Sequence, residues 1–297
     1  MTRLRRCVLV GGSGAVGGMF ARLLGERGAV VEVVDPLRNG DITNIDDALA
    51  DQLRAADMVL LAVPEPVALA AIGAVAEAMT PDALLVDTLS VKSRVVAAAP
   101  AGVQMVSLNP MFAPALGMAG RPVAAVVVHD GPLVRELLRL IEQWGGRVVL
   151  TDADEHDRLT GAAQALTHAA VLGFGVALRD MDVDVGQLAA IAPPPHTTML
   201  ALLARIASGT PEVYWDVQAA NPHAATARKA LAEGIRAVAD IVERGDEAAF
   251  AGLLTSLGGA LGPQLDRHRE LCAGLFAGLA SGTTSYSDRM PPPTVLQ

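Results

Sequence analysis

The chain has 297 residues, 52% of them hydrophobic but only 3% aromatic, and a formal charge of -9 at pH 7. That length allows two domains, or a cofactor domain plus a helical half, with a core built from Ala, Val and Leu. The acidic balance argues against a nucleic-acid partner, whose phosphates need a basic face. Two cysteines, Cys7 and Cys272, cannot form a disulfide framework, so a reducing cytoplasm fits.

Arg3, Arg5 and Arg6 precede an apolar run, but Gly11, Gly12, Gly14, Gly17 and Gly18 interrupt it, which excludes a signal peptide. The run Cys7 to Val10 predicts a buried strand, and an amphipathic helix is expected over Met19 to Arg27. Between them Gly12, Gly14 and Gly17 form G-x-G-x-x-G in the strand, loop, helix context that binds a dinucleotide. The first glycine permits the tight turn, the second admits a pyrophosphate to the backbone, and the third lets helix and strand pack closely. The helix amino terminus then offers free N–H groups and positive partial charge. A second strand, Ala29 to Val34, ends at Asp35, about where a carboxylate accepts hydrogen bonds from the adenosine ribose. Its charge disfavours a 2′-phosphate, which points to NAD, although Arg38 nearby offers a phosphate partner. The alternative for Asp35 is a plain strand-end turn residue.

Asp57 to Val63 is a continuous apolar run of the kind a parallel strand buried on both faces shows, stopped by Pro64-Glu65-Pro66. A helix over Val67 to Met79 and a strand over Ala83 to Val86 follow. Ser90 and Lys92 then fall just past a strand end, on the rim that carries the glycine loop. Alternatively Ser90 caps a helix starting near Val91. Val103 to Val106 predicts a strand that ends in a stiff loop, Ser107 to Pro114, because its two prolines interrupt regular structure. Ligands in open α/β sheets sit at such carboxyl ends. Asn109 therefore either faces a pocket or bonds its own backbone in a turn. A strand (Val123 to Val128), a helix (Leu133 to Trp144) and a strand (Arg147 to Leu150) complete this half.

From Asp152 to about Gly278 the pattern is helical, broken at Pro193-Pro194-Pro195, Gly209-Thr210-Pro211 and Asn221-Pro222. Ala162 to Leu178 is apolar but short and carries Gln164 and His168, so it reads as a helix buried within the chain or at a subunit interface rather than a membrane span. Gln164 and His168, four apart, are expected on one helix face. His156 and His168 are too far apart along one helix to share a metal, and no H-E-x-x-H or other ligand cluster occurs. Arg205 lies in strongly apolar company and calls for an anion, either a structural carboxylate or a substrate's. The stretch 281–297, with three consecutive prolines, is expected to be disordered.

Taken together, these features resemble the prephenate dehydrogenase family. The resemblance rests on the glycine loop, Ser90-Val91-Lys92, Pro110-Met111-Phe112, Glu155-His156-Asp157, Gln164-Ala165-Leu166-Thr167-His168, and Arg205 with Tyr214 following Pro211. It implies an α/β fold: a Rossmann-type NAD-binding domain over 1–151, then an all-helical substrate and dimerisation domain over 152–280. It further implies a cytoplasmic homodimer, with neither a membrane nor a nucleic acid as partner, that performs NAD-linked oxidative decarboxylation of a cyclohexadienyl dicarboxylate. Gly12, Ser13, Gly14, Val16, Gly17, Asp35 and Val63 would hold NAD. Ser90 would bond the group on substrate C4, Arg205 a substrate carboxylate, and His156, Gln164, His168 and Tyr214 would help hold the substrate.

One loop departs from the family, at two positions. The family's loop normally reads His-Pro-Met-Phe-Gly, the histidine accepting the C4 hydroxyl proton, whereas this chain has Asn109 and Ala113. An amide is no general base, but its oxygen accepts and its nitrogen donates a hydrogen bond. The resemblance is therefore strongest to the branch that oxidises 4-amino-4-deoxyprephenate to 4-aminophenylpyruvate, because an amine's stronger lone pair lessens the need for a base. Prephenate or arogenate turnover, and a catalytically silent NAD-binding regulator, are the alternatives.

Overall fold

The computed structural model describes residues 3–36 and 40–282. Arg38 and residues 283–297 lie outside the described residues. Seven strands form one sheet: β1 (Arg6–Val10), β2 (Val30–Val34), β3 (Met58–Leu61), β4 (Leu84–Asp87), β5 (Gln104–Pro110), β6 (Pro122–His129) and β7 (Arg147–Leu150). Their order is β2-β1-β3-β4-β5-β6-β7, parallel throughout except for the antiparallel β5/β6 pair. Five helices are interleaved with them: α1 (Ala15–Gly25), α2 (Asp47–Ala55), α3 (Glu65–Ala78), α4 (Ser93–Ala97) and α5 (Pro132–Gln143).

The strand composition follows from burial on both faces. In β3, Val59 and Leu61 join one apolar layer with Val8, Leu85 and Met105, while Met58 and Leu60 join the other with Leu9, Phe20 and Leu84. The period of two along each strand thus feeds two cores, so no polar residue interrupts the run. Cys7 lies in this core, and burial, aided by the Asp57 charge, pushes its thiol up to about 12, which makes it an inert packing residue.

β5 is longer than its sequence suggests. Ser107 to Pro110 were expected in a loop; they continue the strand, with Asn109 opposite Ala124 and Pro110 opposite Val123. β4 accompanies β5 only as far as Ser107, opposite Asp87, so beyond that point β5 has one neighbour. The Met111 N–H bonds the Pro122 carbonyl across the β6 side. By alternation the missing N–H of Pro110 faces the side with no strand, where a proline costs nothing.

The remainder is helical: α6 (Ala153–Thr160), a π-helical segment (Gly161–Leu166), α7 (Thr167–Asp180), α8 (Val185–Ile191), α9 (Pro194–Ala207), α10 (Pro211–Ala219), α11 (Ala224–Glu243), α12 (Glu247–Leu261) and α13 (Leu265–Gly282). Residues 281 and 282, expected in the tail, close α13. Packing divides the described residues into a sheet unit, those up to 166 with 210–227, and a helical unit, 167–209 with 228–282. The expected boundary after 151 follows element type; the packing boundary falls at the end of the π segment, because α6 and α10 pack with the sheet unit. Among the described residues one helix, Ala153–Asp180, is long and apolar enough to cross a membrane by length and composition. Ala162 to Leu178 was expected to be buried, yet in the single chain only Ala165 and Val171 are.

Candidate active site

The glycine loop has the shape its pattern predicts. A Cβ on Gly17 would sit 2.4 Å from the Gly11 carbonyl oxygen, so only glycine lets α1 begin this close to the turn. Gly14 occupies the N-cap of α1 and offers no capping side chain, which leaves the helix N–H groups to a ligand. Ser13 is exposed, Val16 is half-buried, and Asp35 is buried just past the end of β2. Gly11 was not assigned to the site, but its φ of +77° makes the turn. A Cβ there would lie 2.3 Å from the Ala62 oxygen and 3.0 Å from Val63, so Val63 borders the loop. These features fit a dinucleotide: exposed backbone donors in a cradle that side chains would fill, with a carboxylate at the second strand end.

Ser90 lies half-buried between β4 and α4, and its hydroxyl makes no hydrogen bond to the described residues. It does not cap α4. That helix starts at Ser93, and the N–H groups of Lys92 and Ser93 are taken, at 2.8 Å each, by the two carboxylate oxygens of Asp157. Lys92 does not reach the rim either. Its fully buried ammonium donates to the carbonyls of Leu89 at 2.6 Å and Leu108 at 2.7 Å and faces Asp87 at 3.4 Å. Asp87 also accepts from Ser107 Oγ at 2.8 Å and from the Leu89 N–H at 3.1 Å. Burial holds Lys92 below the usual ammonium range, against the opposing pull of Asp87. Lys92 therefore ties the loop that carries Ser90 to the strand that carries Asn109.

Asn109 is 4% exposed and His156 2%. The Asn109 Nδ2 lies 3.1 Å from His156 Nε2, and His156 Nδ1 lies 2.8 Å from Asp157 Oδ1. Asn109 thus does not bond its own backbone through a turn; its side chain joins a buried chain of three residues. Burial works to raise Asp157, but hydrogen bonds from His156 and from Ser93 and Lys92 outweigh it and hold the carboxyl below its ordinary value. Asn221 supports the same turn of α6, donating to the Asp157 carbonyl at 2.9 Å and to Thr160 Oγ1 at 3.1 Å. Asp157 is the principal residue that sequence reasoning left out of the site, although the Glu155-His156-Asp157 motif contained it.

Gln164 falls within the π segment. The spacing of 3.6 residues per turn that would align it with His168 does not hold there, and the two residues belong to different packing units. A local excess of one residue per turn leaves little trace in composition. Gln218 Nε2 bonds the Ala165 carbonyl of this segment at 2.8 Å. Tyr214 is half-buried on α10 in the same unit. In the helical unit, α7 packs on α9, with Leu203 against the Gly175 position. There His168 is held below the ordinary imidazole value by burial and by the charge of Arg205. Arg205, expected in apolar surroundings, is exposed in the last turn of α9. Among the described residues no group of His, Cys, Asp and Glu could hold a metal ion.

Residues 35–125 match the family model described as prephenate dehydrogenase, nucleotide-binding domain, and residues 152–256 the one described as prephenate dehydrogenase, dimerization domain. The chain belongs to the prephenate dehydrogenase family. It is 53% identical over 288 residues to the 4-amino-4-deoxyprephenate dehydrogenase of Streptomyces pristinaespiralis, covering 92% of this chain and 97% of that protein. It is 31% identical to the T-protein of Enterobacter agglomerans over 83% of this chain and 65% of that one. The crystal structure of Aquifex aeolicus prephenate dehydrogenase in complex with hydroxyphenyl propionate and NAD+ shares the fold, with a TM-score of 0.68 and 18% identity over 86% of this chain and 96% of that one. As a family member the chain is an oxidoreductase with a Rossmann-type nucleotide-binding domain followed by helices.

Proposed function

We propose that this enzyme oxidatively decarboxylates 4-amino-4-deoxyprephenate to 4-aminophenylpyruvate, with NAD as cofactor. The observation that carries the reading is Asn109. At the position where the family places a histidine, this chain presents a neutral amide, buried and hydrogen-bonded to His156. The identity to the Streptomyces pristinaespiralis protein supports the same substrate. When bound, NAD would accept the hydride from C4 as CO2 leaves C1 and its bonding pair completes the aromatic ring; from the neutral amine no net proton is released, and from the ammonium one is.

The protein's task is then to orient the ring and leave the C4 lone pair free to assist. A neutral oxygen acceptor suits an amine: a carboxylate would hold it as an ammonium, which has no lone pair to give, and a protonated imidazole would repel that ammonium. Ser90 binds the C4 substituent, Arg205 pairs with a substrate carboxylate, and Gln164, His168 and Tyr214 complete the substrate set; His156, expected among them, has its ring nitrogens on Asn109 and Asp157 and acts on the substrate through Asn109. Gly12, Ser13, Gly14, Val16, Gly17, Asp35 and Val63 hold NAD, and Asp35 favours it over NADP.

The enzyme acts in the cytoplasm as a homodimer, on the route to a 4-aminophenylalanine-derived antibiotic. The dimerization-domain match and the exposed Ile235, Val242, Phe250, Leu254 and Leu257 of the helical unit support the pairing. The division of the chain at 151 into cofactor and substrate domains follows the same reading. The test is NADH formation by purified protein with prephenate, arogenate and 4-amino-4-deoxyprephenate side by side. Strong preference for the amino compound is expected. Preference for prephenate would overturn the substrate, and silence on all three with NAD bound would favour the regulatory alternative.

A further inference from the structure

We propose that the Asp157–His156 pair is a positioning device that holds the Asn109 amide with its oxygen, and not its nitrogen, toward the C4 substituent of the substrate. The inference follows from the proton positions that the chain of contacts permits. The Asp157 carboxylate is acceptor-only, and its oxygens take the Lys92 N–H, the Ser93 N–H and His156 Nδ1, each at 2.8 Å. The ring proton of a neutral His156 therefore sits on Nδ1, and Nε2 is left with a lone pair. A partner 3.1 Å from that lone pair must donate, so Asn109 turns its NH2 inward. The amide oxygen then faces away from His156, and no described residue donates to it. Pairing of β5 with β6 at Asn109 fixes the backbone that carries it.

The orientation matters for the reaction because the two ends of an amide act oppositely on an amine. The oxygen accepts an N–H and leaves the nitrogen lone pair free to assist hydride departure. The NH2 end would donate to that lone pair and withdraw it from the ring. Without His156 nothing in this chain of contacts prefers the productive orientation, although Asn109 would still be present. The inference rests on the reading that the C4 substituent is an amine; the proton arrangement within the protein does not.

Two variants separate positioning from packing. In His156→Gln the side-chain oxygen falls near the place of Nε2 and still accepts from Asn109, whereas His156→Leu fills the space without an acceptor. Nitrogen-15 spectra of histidine-labelled protein, without substrate, should show one residue with protonated Nδ1 and bare Nε2, and its signals should vanish in His156→Gln. With whichever of the three substrates the enzyme turns over, His156→Leu should lose kcat on the order of tenfold, the scale of one hydrogen bond, with KM changed less. His156→Gln should keep most of the rate. A proton on Nε2 would overturn the proposal, as would equal rates for the two variants at equal melting temperature. Failure of the amino substrate alone would instead overturn the assigned reaction, with the nitrogen-15 result still deciding the orientation.

Discussion

Replacing Lys92 by Met tests whether the rim of the sheet is tied together from beneath. The ammonium is fully buried and serves the Leu89 carbonyl at 2.6 Å, the Leu108 carbonyl at 2.7 Å and, more weakly, Asp87 at 3.4 Å. Methionine fills most of the volume but leaves two carbonyls without that donor and Asp87 without its cation. Removing one partner of a buried ion pair costs about 3–5 kcal/mol. Asp87 keeps the Ser107 hydroxyl and the Leu89 N–H, so the lower end applies, about 3 kcal/mol. At roughly 2–4 °C per kcal/mol for a domain of this size, the melting temperature should fall by roughly 6–12 °C. Adding Asp87→Asn should recover part of the loss, since the buried charge left by Lys92→Met is then gone. Melting followed by circular dichroism, with and without urea, measures both effects. A loss below about 1 kcal/mol, or a double variant no more stable than Lys92→Met, would refute the reasoning.

Gly17→Ala should destabilise the sheet unit by about 1–3 kcal/mol and weaken NAD binding more than Gly14→Ala, whose added Cβ meets its nearest neighbour at 3.2 Å rather than 2.4 Å; fluorescence titration with NAD in the reverse order would contradict this. Asn109→His should raise the kcat/KM ratio of prephenate to 4-amino-4-deoxyprephenate by at least about tenfold, because it restores a group able to accept the hydroxyl proton; an unchanged ratio removes Asn109 as the selector. His168 is held low by burial and Arg205, so as pH falls past about 6.5 the unfolded chain takes up this proton before the folded one. Stability that is present at neutral pH is thus lost between that value and the lower folded one. Melting temperature against pH should therefore fall more steeply below neutrality for the wild type than for His168→Gln, and parallel curves would show that His168 does not titrate in this way.

The glycine loop, the buried strands and the switch to helices after Asp152 were legible because each is a local pattern: turn chemistry, a run of apolar residues buried on both faces, or a helical period. Local pattern also located Asn109, because two prolines beside a polar residue stand out. The extent of β5 was not legible. Whether a proline is tolerated in a strand depends on which side of it lacks a neighbour, and only the end of β4 opposite Ser107 decides that. A helix cap was the alternative for Ser90 because its position allows it, yet the N–H groups of Lys92 and Ser93 are met by Asp157, 65 and 64 residues further on.

The sequence by itself determined the chemistry available: a dinucleotide loop, an acidic residue after the second strand, and an amide where a base is expected. Tertiary structure alone decided how that amide is used, because its orientation is set by a histidine from α6, whose proton is set in turn by a carboxylate that also caps α4. Such a chain of donors and acceptors is a property of three elements meeting, and no spacing along the sequence encodes it.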